Sequence, residues 1–281
     1  MRANRTGPSP AELTRWVILI ILAVLALFPL YFTVINSLKN PLQYAQSLLN
    51  IPAQLHPENY AAAWGQLALP MLNSVVITLT SVLFTLVFAA LSAYAFALMD
   101  FPGRHLLFAL TFALLLLPSF LTLIPLYLQI KALPLPSNYL AIILPTVAGG
   151  QAFAILVLRT AFENLSRDVL EAARIDGAGH GQSLVRVVVP MAAPVLISVA
   201  IIQLVPIWND YLLPSLVLDD AHRTLPMALV TFQGGGAGSV GTPNHGALMA
   251  SYVLSALPLL GLFLFLMRYY IQGLTSGAVK A

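Results

Sequence analysis

The feature that most constrains this chain is a series of long apolar runs that contain no Asp, Glu, Lys or Arg. Six such runs occur, at residues 16–38, 59–99, 105–130, 132–158, 187–209 and 224–267. A helix needs about 20 apolar residues to cross the hydrocarbon core of a bilayer. Across the sequence 59% of the residues are hydrophobic and 8% are charged, whereas ordinary globular proteins contain roughly 25% charged residues. These patterns indicate an integral membrane protein.

Continuous apolar runs favour helices, because barrel strands alternate apolar and polar residues. The predicted fold class is therefore an all-α integral membrane protein with six transmembrane helices. After polar ends are trimmed, we expect these helices near residues 16–36, 71–98, 106–130, 139–160, 187–211 and 247–268. The first run has no small-residue cleavage pattern after it, so we interpret it as a transmembrane helix and not as a signal peptide. We also expect a short interfacial helix at 59–64, whose aromatic residues suit the headgroup region.

The positive charges predict the orientation. With six transmembrane helices both termini lie on one side of the membrane, and that side collects all the Lys and Arg residues except Lys39, Lys131 and Arg223. The positive-inside rule makes it the cytoplasmic side. We therefore expect a cytoplasmic N-terminal tail at 1–15, a transmembrane domain at 16–270 and a cytoplasmic C-terminal tail at 271–281.

Prolines fall inside five of the six predicted transmembrane helices, and the second has none. The residues are Pro29, Pro118, Pro125, Pro145, Pro206 and Pro258. Proline removes a backbone hydrogen bond and tends to kink a helix. Kinked helices that can repack suit a transporter, although proline is also simply more frequent in membrane helices than in soluble ones.

A polar segment, 159–186, interrupts the apolar pattern on the predicted cytoplasmic side. The spacing of Arg167, Glu171 and Arg174 predicts a ladder of ion pairs along one side of a short helix. Leu165, Val169, Ala172 and Ala173 would form a narrow apolar stripe on another side.

Gly177 can end this helix in a left-handed conformation, and a second short helix can run through Ser183 and Leu184 towards Pro190. The segment therefore predicts a helix–Gly–helix element that projects into the cytoplasm. The alternative is an amphipathic loop that lies on the lipid headgroups.

The sequence lacks the residues that several kinds of site need. The chain has no cysteine, and its five histidines have no metal-ligand spacing. The Gly-rich stretch at 234–241 lacks the Gly-Lys-Ser/Thr ending of a phosphate-binding loop, and no basic cluster resembles a nucleic-acid surface. We therefore predict no catalytic residue, no metal site and no nucleic-acid partner, and we expect any ATP-derived energy to come from a separate subunit.

Amide side chains inside the predicted transmembrane helices are the candidate contacts for a transported solute. They are Asn73, Gln151, Gln203 and Asn209, and the hydroxyls of Ser74 and Thr78 accompany them. Polar groups in hydrocarbon usually face the helix-bundle interior or a cavity, where they bind cargo or join helices together. Both roles stay open. The absence of charge deep in these helices favours a neutral, hydroxylated cargo over an ion.

The polar segment resembles the cytoplasmic loop signature of ATP-binding-cassette importer permeases. That signature is Glu-Ala-Ala, three residues, Gly, nine residues, then two aliphatic residues around a spacer, and Pro. Glu171, Ala172, Ala173, Gly177 and Pro190 match it. Val187 and Val189 stand where Ile and Leu are usual.

Further pieces in order along the chain resemble the carbohydrate-uptake branch of these permeases, which includes the second, six-span membrane subunit of the maltose transporter. The pieces are 36–39, 73–74, 93–97, 101–104, 208–210 and 272–280. The resemblance implies a permease subunit that forms half of a pore for a sugar or sugar-like solute in a bacterial or archaeal cytoplasmic membrane.

The resemblance also implies partners and residue roles. The partners are a second permease subunit, two ATPase subunits that hold ATP and Mg, an extracytoplasmic solute-binding protein and membrane lipid. The residues that couple to the ATPase would be Glu171, Ala172, Ala173, Arg174, Asp176, Gly177 and Pro190, and the tail from Gly273 would touch the ATPase dimer.

Two alternatives remain. The same importer class can carry glycerol phosphate or another polyol. The second alternative is an ion-coupled secondary transporter. Such a transporter needs ionisable residues near the membrane midplane, and the ionisable residue nearest to the midplane here is Asp210.

Overall fold

The computed structural model of the chain describes residues 10–133, 138–232 and 244–278. Regular structure in these ranges is entirely helical, which confirms the all-α prediction. The helices are α1 (Pro10–Ser37), α2 (Pro41–Gln46), α3 (Glu58–Leu98), α4 (Arg104–Ala113), α5 (Ser119–Ala132), α6 (Leu140–Glu163), α7 (Arg167–Ile175), α8 (His180–Ser183), α9 (Val189–Met191), α10 (Ala193–Trp208), α11 (Leu212–Val217), α12 (Leu225–Thr231) and α13 (His245–Ala278).

Four helices in the described ranges are long and apolar enough to cross a membrane. They are Ala11–Ser37, Glu58–Leu98, Leu140–Glu163 and His245–Phe265. Two bent helix pairs, Arg104–Leu116 with Phe120–Ala132 and His180–Met191 with Ala193–Trp208, raise the number to six if each pair is one crossing. The number of crossings therefore lies between four and six, and six stays a prediction.

The second membrane helix is longer than the sequence predicts. Residues 59–64, expected as a separate interfacial helix, and 71–98 belong to one helix, α3, which contains Pro70. The prediction that this helix lacks proline is therefore wrong. A proline removes one backbone donor, and the strong helix formers Ala68 and Leu69 before Pro70 and Met71 and Leu72 after it continue the helix through it.

The third predicted transmembrane helix is not continuous. Helix α4 ends at Ala113, a 3-10 turn follows at Leu114–Leu116, and α5 begins at Ser119 with a bend of 102° between the two helices. Leu117, which precedes Pro118, has ψ of 118°. Steric clash with a following proline disfavours the α conformation, so the helix breaks here.

The fifth predicted transmembrane helix also breaks. Helix α10 begins at Ala193 and not at 187, and it is bent by 78° from the preceding segment His180–Met191. Pro190 and Pro194 remove two backbone donors within five residues, and between Leu184 and Val188 the chain is wound as a π-helix.

The ends of the chain differ from the predicted tails. Helix α1 already begins at Pro10, inside the predicted tail 1–15, and α13 runs to Ala278, inside the predicted tail 271–281. Residues 1–9, 279–281 and the Gly-rich stretch 234–241 lie outside the described residues.

Two compact units make up the chain, Met1–Leu67 with Thr231–Leu257 and Ala68–Val230 with Pro258–Ala281. The second unit contains a small-residue core in which alanines of α3 meet α6 and α10. Its fully buried members include Ala89, Ala93, Ala154, Leu158, Phe162, Val188 and Val199. Small side chains let helices approach closely, which is how membrane helices pack.

The first unit is held together by polar groups. The amide nitrogen of Asn59 donates to the backbone oxygens of Ser37 and Lys39, both at 2.9 Å, and its amide oxygen accepts from Asn244 at 3.1 Å. Lys39 is 1% exposed and donates to the backbone oxygen of Ser47 at 2.8 Å. Burial lowers the pKa of this lysine. Residues 36–39, matched by the resemblance, thus lie in a buried polar cluster.

Candidate functional site

The predicted helix–Gly–helix element exists, and its first helix, α7, ends as the sequence indicates. Gly177 has a φ of 83°, a left-handed conformation. The amide of Gly177 donates to the oxygen of Arg174 at 3.0 Å and the amide of Ala178 to the oxygen of Ala173 at 2.9 Å. These two bonds are the Schellman pattern, which satisfies carbonyls at a helix end. The turn geometry predicted for Gly177 is therefore confirmed.

One face of α7 packs on the protein and the other faces outward. Leu165 and Leu170 contact the core of the second unit. Val169 is 42% exposed and Ile175 is 86% exposed. Of the predicted apolar stripe, Leu165 and Ala173 are half-buried, whereas Val169 and Ala172 are exposed. Leu170 provides the inward contact and leaves Val169 and Ala172 on the outer surface, and the apolar stripe stays a prediction.

The charges of α7 do not form the predicted ladder. Among the described residues, neither Arg167 with Glu171 nor Glu171 with Arg174 forms an ion pair within 4 Å. Instead these three side chains line a cavity of about 310 Å³ together with Asp100 and Arg104. Arg104 and Asp100 form an ion pair of 2.8 Å. Sequence spacing within one helix carries no information about the charges of the 99–104 turn, and therefore it missed them.

The second arm of the element is tied to α3. The hydroxyl of Tyr94 lies 3.2 Å from Nδ1 of His180, the first residue of α8, and the two rings form an edge-on contact with centroids 6.0 Å apart. Beyond α8, Leu184 and Val188 are buried in the core, and Pro190 is exposed. Sequence reasoning missed His180, although Tyr94 belongs to the 93–97 piece of the resemblance.

The base of the element is fixed at the end of α6. Arg159 pairs with Glu163 at 2.8 Å, and its guanidinium lies 3.8 Å from the centroid of the Phe108 ring. A cation over an aromatic face gains electrostatic attraction and retains its charge. The chain that enters α7 therefore starts from a fixed point.

The four amides predicted to contact cargo are not gathered in one place. Asn73 uses both of its donors, on the backbone oxygens of Ala221 at 3.3 Å and Arg223 at 2.8 Å, and its oxygen accepts from Tyr139 at 2.8 Å. Asn209 donates to the oxygen of Val205 in its own helix. Asn73 therefore anchors the 221–223 segment to α3.

Gln151 and Gln203 do lie in one region. Gln203 donates to the oxygen of Gly150 at 2.8 Å, and Gln151 donates to the oxygens of Val147 at 3.1 Å and Thr85 at 3.3 Å. A side chain on Gly150 would meet both Gln203 and Thr85 at 3.0 Å. This glycine lets α3, α6 and α10 approach closely at that level. Within the described ranges, no three His, Asp or Glu residues are grouped so that they could hold a metal ion.

An all-helical membrane chain that presents a short, capped helix on a fixed base has the organisation of a transporter's membrane component. Residues 85–276 match the family described as binding-protein-dependent transport system inner membrane component, and the chain belongs to this family.

Curated relatives match along nearly the whole length. The chain is 31% identical over 271 residues to the probable ABC transporter permease protein YurM of Bacillus subtilis (strain 168), covering 96% of this chain and 89% of YurM. It is 33% identical over 271 residues to the trehalose transport system permease protein SugB of Mycobacterium tuberculosis (strain CDC 1551 / Oshkosh), covering 95% and 97%. The melibiose/raffinose/stachyose import permease protein MelC of Bacillus subtilis (strain 168) is 31% identical over 287 residues, with 100% of each chain covered.

A solved structure shares the fold. It is a bacterial ABC transporter involved in the import of the acidic polysaccharide alginate, with a TM-score of 0.82, 22% identity, 94% of this chain covered and 99% of that one. The chain is thus the non-catalytic permease subunit of an ABC importer.

Proposed function

We propose that the segment 165–190 couples this permease to a separate ATPase and that the pore half formed by the chain carries a sugar. The observation that carries the proposal is the geometry of α7. Its inner face packs on the core through Leu165 and Leu170, while Val169, Ala172 and Ile175 face outward. An exposed apolar surface on a short charged helix suits burial in a partner's cleft.

A docked helix transmits force only if it does not give way at its ends. Gly177 closes the C-terminal end of α7, and Tyr94 and His180 fix the following arm to α3. The signature residues Glu171, Ala172, Ala173, Arg174, Asp176 and Gly177 form the docking helix and its cap, and Pro190 marks the point where the arm turns towards α10. Movement of the ATPase would therefore reach α3 and α10 together.

The topology and partners of the proposal follow the positive charges and the family. Six transmembrane helices would span residues 16–270, with cytoplasmic tails at 1–15 and 271–281, in a bacterial or archaeal cytoplasmic membrane. A second permease subunit would complete the pore, two ATPase subunits would hold ATP and Mg, and an extracytoplasmic solute-binding protein would deliver the cargo.

The cargo proposal is supported by the functions of relatives and by the uncharged interior. SugB is a trehalose permease and MelC a melibiose, raffinose and stachyose permease, so a neutral oligosaccharide is the first candidate, and a polyol or glycerol phosphate is the second. We place Gln151 and Gln203 on the path. Asn209 and Asn73 would contact cargo only near the outer entrance, where Asn73 already serves as an anchor.

Two substitutions in α7 and its cap test the coupling proposal. Glu171→Lys and Gly177→Pro should abolish most of the ATPase stimulation by loaded binding protein in a reconstituted complex, while membrane insertion stays normal. Proline cannot adopt the φ of 83° that Gly177 has. Glu12→Lys, which makes the same charge reversal at an exposed carboxylate of α1, outside the 165–190 segment, is the matched control. Normal stimulation in both α7 variants would refute the coupling role.

A further inference from the structure

One face of α3 carries hydroxyl groups along its middle. Ser74, Thr78, Ser81 and Thr85 are spaced by four, three and four residues, so they lie in one line along the helix. All four are buried, with exposures between 0% and 2%. Ser and Thr are common on the buried faces of membrane helices, where they usually hydrogen-bond to a neighbouring group, so the partners of these four hydroxyls decide what the line does.

Three of these hydroxyls have no hydrogen-bond partner. The oxygens of Thr78, Ser81 and Thr85 are buried and unpaired among the described residues, whereas Ser74 accepts from the amide of Leu225 at 2.7 Å. Buried polar groups without a partner are rare, because each loses its hydration without replacement.

Several other helical hydroxyls in the described ranges do find a partner. Thr33, Thr111 and Thr160 each donate to the backbone oxygen four residues earlier, at 2.8, 2.9 and 3.0 Å. This local bond is the ordinary solution for Ser and Thr in a helix. In α3 the hydroxyls of Thr78, Ser81 and Thr85 do not use it, and they stay available for another ligand.

The unpaired hydroxyl of Thr78 belongs to a side chain that lines a cavity. The cavity has a volume of about 190 Å³, and Trp208 and the aliphatic side chains of Leu79, Leu204 and Leu262 form most of the remaining wall. Trp208 is 6% exposed. One hydroxyl and one indole among aliphatic side chains fit the mostly apolar composition, with few polar groups, of small-molecule sites. A sugar ring presents both matching surfaces, a C–H face for the indole and hydroxyls for threonine.

The opposite end of the line reaches the amide pair. The amide of Gln151 donates to the backbone oxygen of Thr85 at 3.3 Å, and the amide of Gln203 donates to the backbone oxygen of Gly150 at 2.8 Å. The uncharged donors and acceptors therefore continue from Thr78 through Ser81 and Thr85 to two glutamines.

We propose that Thr78, Ser81 and Thr85 contact the cargo, forming a hydroxyl track on α3 with a stacking subsite for one sugar ring between Thr78 and Trp208. The inference rests on the proposed sugar cargo. The track is closed in this structure, so cargo reaches Ser81 and Thr85 only when α6 and α10 move away from α3. Hydroxyls without internal partners suit this cycle, since these three side chains give up no protein hydrogen bond of their own when the helices separate.

Thr78→Val tests the track because it removes the hydroxyl and keeps the branched shape. The full complex with its binding protein is reconstituted in proteoliposomes, and uptake of radiolabelled trehalose, maltose and melibiose is measured beside ATPase stimulation. Uptake by Thr78→Val should fall about 3- to 10-fold, the size of one lost hydrogen bond, while ATPase stimulation stays within twofold of the wild type. Thr78→Ser should restore uptake. Thr111→Val removes a hydroxyl that bonds within its own helix, and the complex with this variant should take up the sugars normally.

Each of the other possible results would refute one of the proposals. Unchanged uptake by Thr78→Val overturns the track, and so does a parallel loss of uptake, ATPase stimulation and thermal stability, which marks a packing role. A wild-type complex whose ATPase is stimulated but which takes up none of the three sugars overturns the sugar cargo and the track with it. A wild-type complex without stimulation overturns the proposed coupling instead.

Discussion

Ile175 is a residue that must be covered under either interpretation of the polar segment. A large aliphatic side chain that is 86% exposed at the end of a charged helix leaves apolar area in water, which costs roughly 25 cal/mol for each Å². A loop lying on headgroups would bury such a residue in lipid, and a docking helix would bury it in a partner. The inward packing of Leu165 and Leu170 on the core holds α7 against the protein, which favours the partner.

Among the glycines that the structure describes with their surroundings, Gly246 is the one where an added Cβ meets the closest atoms. A Cβ at this position would collide with the backbone oxygen of Lys39 and lie 2.5 Å from the amide nitrogen of Asn59. Gly246→Ala should therefore push apart the buried cluster of Lys39 and Asn59 and lower the free energy of unfolding by about 1–3 kcal/mol, the usual cost of overpacking. Thermal unfolding of the purified chain in detergent measures the change.

Gly261→Ala provides the control for that substitution, because it lies in the same helix and nothing is within 4 Å of its added Cβ. Alanine favours a helix over glycine by roughly 1 kcal/mol, so this variant should unfold at the wild-type temperature or above. If both variants unfold at the same temperature, the close approach at Gly246 does not contribute to stability.

At the scale of elements, the arm after Gly177 depends on one contact made far along the sequence. Tyr94→Phe removes the hydroxyl that lies 3.2 Å from His180 and keeps the ring contact, while His180→Ala removes both. We expect ATPase stimulation to fall about twofold in Tyr94→Phe and further in His180→Ala, because a looser arm transmits less of the ATPase movement. A net hydrogen bond is worth about 1 kcal/mol, or about fivefold, which sets the upper limit of the smaller effect.

Phe96→Leu is a suitable comparison for these two variants, since Phe96 lies at the same end of α3 and makes no contact with His180 among those described; it packs on Phe101 and Phe108. Equal losses in Tyr94→Phe and Phe96→Leu would assign the effect to general packing near the end of α3, and the special role of the Tyr94 contact would then be wrong.

The elements also show where sequence reasoning succeeds and where it stops. Apolar runs located the helices, and Gly177 could be predicted as a left-handed cap because glycine meets no steric penalty there. Proline positions did not tell a kink from a break: α3 continues through Pro70, yet the chain turns by 102° around Pro118. Which outcome follows depends on neighbours that can satisfy the freed carbonyl, and local sequence does not contain them.

Only part of the candidate site could be predicted from the sequence. Its local part, α7 with its cap, could be predicted from residues 165–190. Its long-range part could not, because Asp100, Arg104 and Tyr94 reach it from another helix and its following turn. Asn73 looked like a cargo residue for the same reason, since spacing along α3 gives no sign of the bonds it makes with the 221–223 segment and Tyr139.

At the scale of the whole molecule, family membership makes the chain one permease subunit of an assembly, and much of its surface is built for neighbours. The apolar window of the first candidate span, Ala11–Ser37, has 0% of its residues buried. Lipid and the proposed second permease would cover such a surface. The assembly therefore has two kinds of contact to make, apolar ones in the membrane and a docking contact at α7.

A site-directed crosslink at α7 tests the docking most directly, and the natural chain, which has no cysteine, is its background. Ile175→Cys is labelled with benzophenone maleimide in membranes that contain the co-expressed ATPase, irradiated, and blotted for a tag on the permease. Ile51→Cys is the control, because Ile51 is 74% exposed and lies in the segment predicted to be external. The account predicts a permease–ATPase adduct for Ile175→Cys alone. Adduct at the background level for Ile175→Cys, or equal adduct from Ile51→Cys, would contradict it.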